Sequence, residues 1–323
     1  MELSVMSPVL GGTPLKESIE YLASLGVDSI ELGVGGYPGK AHADANEYAK
    51  DPSKAKELKA LLDANNMKIS ALACHGNPVH PTKELAMKFQ ADMDAAYVMA
   101  EQMEIDTIVG FSGCPGDCSE SKNPNWVTCA WPNEYLDILR YQWEDVLIPY
   151  WTEEVKKANK HGVKKIAFEM HPGFCVYNPS SLMKLRNAVG ETIGANFDPS
   201  HLFWQGIDPV EAIKYLGKEK AIYHFHAKDT KIDEANTKVN GVLDTGSYGD
   251  ILNRSWVFRT VGYGHDASVW NDIISTLKAV GYDGCISIEH EDGLMSSREG
   301  LEKAVEFLKK VIIYQNPGEM WWV

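Results

Sequence analysis

The chain has 323 residues, of which 44% are hydrophobic and 24% charged, a composition that supports a sizeable core. Its 31 Lys and Arg against 45 Asp and Glu give a net charge of −14, which argues against a phosphate-backbone binder and against docking on an anionic membrane. No run of about 18 apolar residues occurs, so no transmembrane helix is expected.

Met1 to Pro8 reads directly as a strand rather than as a basic and apolar leader, so no secretory signal is expected and the chain is placed in the cytoplasm. Predicted strands alternate with predicted helices from there onward. Strand 2–9 precedes helix 14–25, strand 28–34 helix 53–64, strand 68–75 helix 82–102, and strand 107–112 helix 141–160. The second half continues with strand 165–171 and helix 180–189, strand 193–198 and helix 209–216, strand 222–228 and helix 268–280, then strand 285–291 and helix 297–313. Ser53, Thr82 and Ser180 are the expected helix caps, and Gly26, Gly162, Gly190 and Gly281 the expected stops. Eight strand–helix units imply parallel strands, because each helix is a crossover. The fold expected is α/β: a single (β/α)8 TIM barrel over 1–315 with a C-terminal tail at 316–323. A doubly wound open sheet is the alternative, although no Gly-x-Gly-x-x-Gly follows the first strand. Two strand-to-helix connections are long: 112–139 after strand 4, with Trp126 and Trp131, and 229–267 after strand 7, with Trp256 and Arg259. In a barrel such connections lie at the C-terminal face, where sites form. The six cysteines are too sparse for a disulfide scaffold, and Cys114 and Cys118 lack the usual zinc spacing, so free thiols are expected.

Strands 5 to 8 share one phase. In Ile166-Ala167-Phe168-Glu169, Asn196-Phe197-Asp198, Tyr223-His224-Phe225-His226 and Ile286-Ser287-Ile288-Glu289, large apolar residues alternate with polar or small ones. Period 2 then sends Ile166, Phe168, Phe197, Tyr223, Phe225 and the isoleucines toward helices, and Glu169, Asp198, His226 and Glu289 into the barrel mouth. Three carboxylates buried together require a compensating cation. One imidazole among them suits Mn²⁺, with Mg²⁺, Co²⁺ and Zn²⁺ as alternatives. Taken singly, each has a plain structural reading, as a surface Glu or an Asp-Pro turn; the recurrence on four adjacent strands carries the argument. Of the ten histidines, only His161 falls on the opposite face, and His290 is phased outward.

Phe168-Glu169-Met170-His171-Pro172-Gly173, Asn196-Phe197-Asp198-Pro199-Ser200-His201, His224-Phe225-His226-Ala227-Lys228-Asp229 and Ile286-Ser287-Ile288-Glu289-His290-Glu291 resemble the xylose-isomerase-like TIM-barrel superfamily. Within it they are similar to the sugar phosphate isomerase/epimerase branch. The resemblance spans nearly the whole chain. It implies metal ligation by Glu169, Asp198, His226 and Glu289, with Glu169 and Glu289 doubling as the acid–base pair around a metal-stabilised enediolate. It also implies substrate contacts at His201 and His75. Lys228 or Arg259 could anchor a distal hydroxyl, with a structural cation as the plain alternative, and Trp126 and Trp256 could offer stacking faces. Where epimerase-type members carry an Arg six residues after the metal His, this chain has Ile232. The repair-endonuclease branch would need a His after strand 4, where Phe111-Ser112-Gly113 stands, and an Asp-x-His where Trp256 and Phe258 stand. The acidic Glu289-His290-Glu291-Asp292 at the end of strand 8 disfavours a phosphorylated substrate. The function expected is therefore a divalent-metal isomerase or epimerase of an unphosphorylated sugar, keto-sugar or cyclitol. A lyase on the same site (a hydratase, or a deglycosidase of 3-keto C- or O-glycosides) is the runner-up. A non-catalytic binding or assembly subunit is the rival of another class. The partner expected is a small carbohydrate or glycoside, with no nucleic acid and no membrane. Exposed-looking Met320-Trp321-Trp322-Val323 leaves a homo-oligomer or a partner subunit open.

Overall fold

β-Branched and aromatic residues at alternate positions make eight short strands that pair in parallel. They are β1 (Glu2–Met6), β2 (Ser29–Gly33), β3 (Lys68–Ala73), β4 (Thr107–Gly110), β5 (Lys165–Glu169), β6 (Ile193–Phe197), β7 (Ile222–Ala227) and β10 (Cys285–Ile288). The sheet closes through β1 pairing with both β2 and β10, so the chain is a single (β/α)8 TIM barrel. The structure is a computed structural model and describes residues 1–316 and 318–323. The tail expected at 316–323 includes Pro317, which lies outside the described residues; Trp321 and Trp322 are exposed.

The helices are α1 (Leu15–Ser24), α2 (Ala45–Lys50), α3 (Pro52–Ala64), α4 (Lys83–Met103), α5 (Glu134–Arg140), α6 (Ile148–Lys160) and α7 (Pro179–Val189). They continue with α8 (Pro199–Trp204), α9 (Pro209–Lys218), α10 (Glu234–Asn240), α11 (Ala267–Ala279) and α12 (Ser297–Val311). Two caps differ from expectation for one reason. Asp51 and Asn178, not Ser53 and Ser180, accept the exposed first-turn N–H groups, and each is followed by a proline that needs no acceptor. The helix expected over 141–160 begins earlier, at α5, and passes through a wide π turn at Tyr141–Leu147 before α6. Pro149 lacks the N–H that a regular turn would use there.

Leu3, Ile166, Phe168, Phe197, Phe225 and Ile286 point away from the barrel axis and are fully buried against the helices, with Leu22, Trp151, Leu182, Ile213 and Trp270. Tyr223 departs from the expected outward phase. A register shift between β6 and β7 passes from the pair Ala195–Ile222 to the pair Asn196–His224, leaving Tyr223 unpaired. Its ring packs over Gly194 and against the small interior layer of Ala71, Val109 and Ala167, while its hydroxyl accepts from Arg186 at 2.7 Å.

The strands end earlier than predicted, because the chain leaves the sheet as it reaches the mouth. Asp198 lies just beyond β6 as the N-cap of α8, accepting from Ser200 N at 2.8 Å, and Glu289 lies just beyond β10. The connection after β7 is not irregular throughout: β8 (Asp229–Ile232) and β9 (Trp256–Arg259) form an antiparallel hairpin, with α10 between them. Asp229 fastens this insertion to the barrel. Its buried carboxylate accepts from the backbone N–H groups of Gly262, Gly264 and His265 at 3.1, 3.1 and 2.9 Å, and from Trp270 Nε1 at 3.2 Å. Asp229→Ala leaves those donors unpaired and is expected to cost at least about 2 kcal/mol. Urea melts should register the loss, and limited proteolysis should cut residues 233–255 faster; an unchanged midpoint with unchanged proteolysis would contradict this role for Asp229.

Candidate metal centre

Each residue of the mouth arrives at the C-terminal end of a strand, where the pleat aims it inward. Ligand atoms of Glu169, Asp198, His226 and Glu289 lie within 4.8 Å of one another. His226 Nδ1 is 3.3 Å from Glu169 Oε2 and 3.0 Å from Glu289 Oε2. Three of these buried atoms, Asp198 Oδ2, His226 Nδ1 and Glu289 Oε2, make no well-directed hydrogen bond despite this crowding. These atoms meet through ion-pair contacts with one another, with His201 and with Lys228 rather than through directed hydrogen bonds, and three carboxylate oxygens converging with one imidazole nitrogen fit a divalent ion.

Among the described residues, two further groups could hold an ion by proximity alone: Glu31 with His224 and His226, and Glu169 with His171 and His201. Glu31 and His224 are sealed beneath the quartet, whereas Glu169 and Glu289 open onto a cavity of about 390 Å³, a volume suited to a small ligand. Only the quartet combines three carboxylates with that access.

Charge in the mouth is balanced by neighbours. Burial pushes the Glu169 carboxyl up, but hydrogen bonds from His201 and His75 and the adjacent His226 ring outweigh it and hold it well below the usual range. His201 Nε2 lies 2.8 Å from Oε1 and His75 Nε2 lies 3.2 Å from Oε2. Glu289 is also raised by burial and lowered further by Lys228, ending below the ordinary value. Burial leaves Asp198 raised. The Lys228 ammonium, itself buried, sits 3.1 Å from Asp198, 2.8 Å from Glu289 and 2.9 Å from Glu291. It is committed to these carboxylates, which hold its proton firmly against the burial that opposes it.

His226 is the pivot. Its Nε2 lies 2.9 Å from Glu31 Oε2, which also accepts from Ser287 Oγ at 2.7 Å. Burial disfavours the imidazolium, yet Glu31 and Glu289 outweigh it and raise the pKa well above the ordinary value. The ion-free protein thus holds an extra proton on His226 at neutral pH, and a cation entering the quartet must displace it. Affinity is expected to rise with pH through neutrality and up to the raised pKa of His226, with about one proton released per ion. Calorimetry in buffers of different ionisation heat measures that proton; a release of zero would contradict it.

The other sequence-predicted residues are more dispersed. His75 and His201 touch Glu169, whereas Arg259 pairs with Asp292 at 2.9 Å beside a second cavity. Trp256 does not face the mouth: its ring stacks on Trp204 at 4.6 Å and its Nε1 donates to Val242 O, forming the small core of the hairpin. Trp126 lies in a separate cavity against Tyr177, with rings 5.5 Å apart, because its apolar ring packs onto the main core. His290 turns outward as expected, its ring against Gly300 of α12, at the edge of the mouth cavity. Sequence reasoning missed Glu31, although Ile30-Glu31-Leu32 carries the same alternation as Ile288-Glu289, and missed His171, whose ring lies 4.1 Å from that of His201.

A closed barrel whose mouth gathers three carboxylates and a histidine belongs to the class of α/β-barrel proteins equipped to hold a divalent ion beside a small-ligand cavity. The chain belongs to the xylose isomerase-like TIM barrel family, which it matches over residues 19–311. It is 41% identical to the uncharacterized protein YfiH of Bacillus subtilis (strain 168), covering 97% of this chain and 99% of that protein. Among solved structures, the IolI protein with a binding zinc atom superposes with a TM-score of 0.65 at 18% identity, covering 97% and 98% of the two chains. A D-tagatose 3-epimerase-like protein superposes with a TM-score of 0.62 at 22% identity, covering 96% and 98%. Most members of this superfamily are enzymes acting on sugars or cyclitols, among them isomerases, epimerases and dehydratases. Among the described residues, no helix is long and apolar enough to cross a membrane.

Proposed function

We propose that the protein is a divalent-cation-dependent isomerase or epimerase of an unphosphorylated sugar, keto-sugar or cyclitol. The observation that carries this reading is the convergence of ligand atoms of Glu169, Asp198, His226 and Glu289 within 4.8 Å of one another at the floor of the mouth cavity. Glu169, Asp198, His226 and Glu289 would hold the ion, with Mn²⁺ favoured by the oxygen-rich donor set. The bound ion supplies Lewis-acid polarisation of a substrate carbonyl. Glu169, ionised at neutral pH, would take the proton from the carbon beside that carbonyl. Glu289 is also ionised at rest, so it would first take up a proton from water in the open mouth and then return it, while Glu169 releases its own to solvent. Return to the same carbon from the opposite face gives an epimer; return to the former carbonyl carbon, with the hydroxyl proton passing from the neighbouring oxygen to the former carbonyl oxygen, gives an isomer. His201 and His75 orient Glu169 and reach toward substrate oxygens. Glu291 at the rim disfavours a phosphate. The zinc named for the IolI neighbour and the epimerase named among the solved structures agree with this reading.

The test is exchange of the α-proton in D₂O, followed by ¹H NMR over a panel of ketoses, aldoses and keto-cyclitols. Exchange is expected only after chelator-stripped protein is reloaded with Mn²⁺; undiminished exchange by fully stripped protein would rule the reading out. A lyase on the same groups is the second reading, favoured by the apolar cavity beside the mouth. Mass spectrometry separates them, since a lyase product has lost water or a leaving group.

A further inference from the structure

Beside the mouth lies a second cavity of about 430 Å³ that shares His171 and Glu291 with the first. The insertion after β7 and the loop after β10 build it, with Tyr248, Ile251, Val257, Phe258 and Leu294 as its apolar walls. Its one cationic side chain, Arg259, is already paired with Asp292. A bare hexose carries a hydroxyl on nearly every carbon and would forfeit hydrogen bonds against such walls. The mouth alone has room for a sugar, so the annex is surplus to a bare sugar substrate.

Phe258 joins the two spaces. Lys228 Nζ stands 4.7 Å from the centre of its ring and the His201 ring meets it edge-on at 5.3 Å, both on the side of the quartet. On the annex side Tyr248 stacks on it, with ring centres 5.9 Å apart and planes within 15°. Tyr248 and Leu294 are each 59% exposed, an apolar rim that the packing of the barrel does not require.

From this continuity we infer that the substrate is a keto-sugar carrying an aryl group, with the sugar in the mouth and the aromatic ring in the annex between Tyr248 and Leu294. Plain aryl and methyl glycosides, which lack the reacting carbonyl, serve as binding probes of the two spaces. The inference rests on the reading of the mouth as a sugar site and adds the class of substituent to it.

Isothermal titration of the Mn²⁺-loaded protein with 4-nitrophenyl and methyl β-D-glucopyranosides, and with the corresponding galactopyranosides, tests it. For at least one sugar the aryl glycoside is expected to bind about tenfold more tightly than its methyl counterpart. That ratio is expected to fall toward one in Leu294→Asp and in Tyr248→Ala, both substitutions at exposed positions. Equal affinities, a ratio that survives both substitutions, or binding of none of the four probes would overturn the inference. Repeating the titrations on ion-free protein separates this from the reading beneath it. Methyl-glycoside binding that is indifferent to Mn²⁺ counts against the quartet as a sugar site, whereas the aryl-to-methyl ratio reports on the annex alone.

Discussion

Glu169→Gln is expected to lower α-proton exchange by about 10³-fold, the scale on which a positioned general base acts, while ion binding persists. The amide retains an oxygen that can face the quartet but cannot accept the proton. The carboxylate is a base poised by its surroundings: burial alone would neutralise it, and the hydrogen bonds from His201 and His75 with the adjacent His226 ring keep it ionised. Exchange measured by ¹H NMR and ion content measured by elemental analysis give the two readouts. Exchange within about tenfold of the parent would remove Glu169 from the role of base. Loss of the ion together with the activity would show instead that the substitution emptied the site, and Asp198→Asn then serves as the comparison that removes a donor without removing the base.

Glu31→Gln is expected to weaken divalent-cation affinity about 10- to 100-fold, as removal of a partner behind a metal-facing histidine does. Glu31 is wholly buried, and both its oxygens lie near His226 Nε2, at 3.1 and 2.9 Å. Burial opposes its charge, yet His226 and His224 outweigh that and hold its pKa below the ordinary value. A carboxylate there keeps the proton of the neutral ring on Nε2 and leaves Nδ1 free to face Glu169 and Glu289. The neutral amide can reproduce one hydrogen bond but not the charge. Competition titration with a chromophoric chelator should find the weaker affinity, and saturating Mn²⁺ should restore most of the exchange activity, which a merely misfolded variant would not allow. Unchanged affinity would make Glu31 a structural residue only.

These two residues mark what could and could not be read along the chain. Glu169 was visible because it recurs in phase with Asp198, His226 and Glu289 on neighbouring strands. Glu31 had the same alternation, but its importance depends on closure: β2 comes within reach of β7 only because β1 pairs with β10 on its other edge. Trp256 and Trp126 misled for the opposite reason. Their positions in long connections said that they were near the mouth face, while ring packing turned one onto Trp204 and the other toward Tyr177. Tyr223 left its expected face because a shift in strand register, invisible in alternation, left it unpaired.

Length and periodicity by themselves determined the barrel and the phase of the four inward polar side chains, because strand pleat and crossover geometry are local and repeat eight times. The acidic total of −14 acquires a local meaning in the mouth, where three carboxylates converge with one histidine. Tertiary structure alone decided how that charge is balanced, by Lys228 from within and His226 backed by Glu31 from across the barrel. It alone decided that the insertion after β7 folds into a hairpin with an apolar annex rather than a pair of loose stacking aromatics. Such contacts join residues far apart in the chain, and no periodicity encodes them.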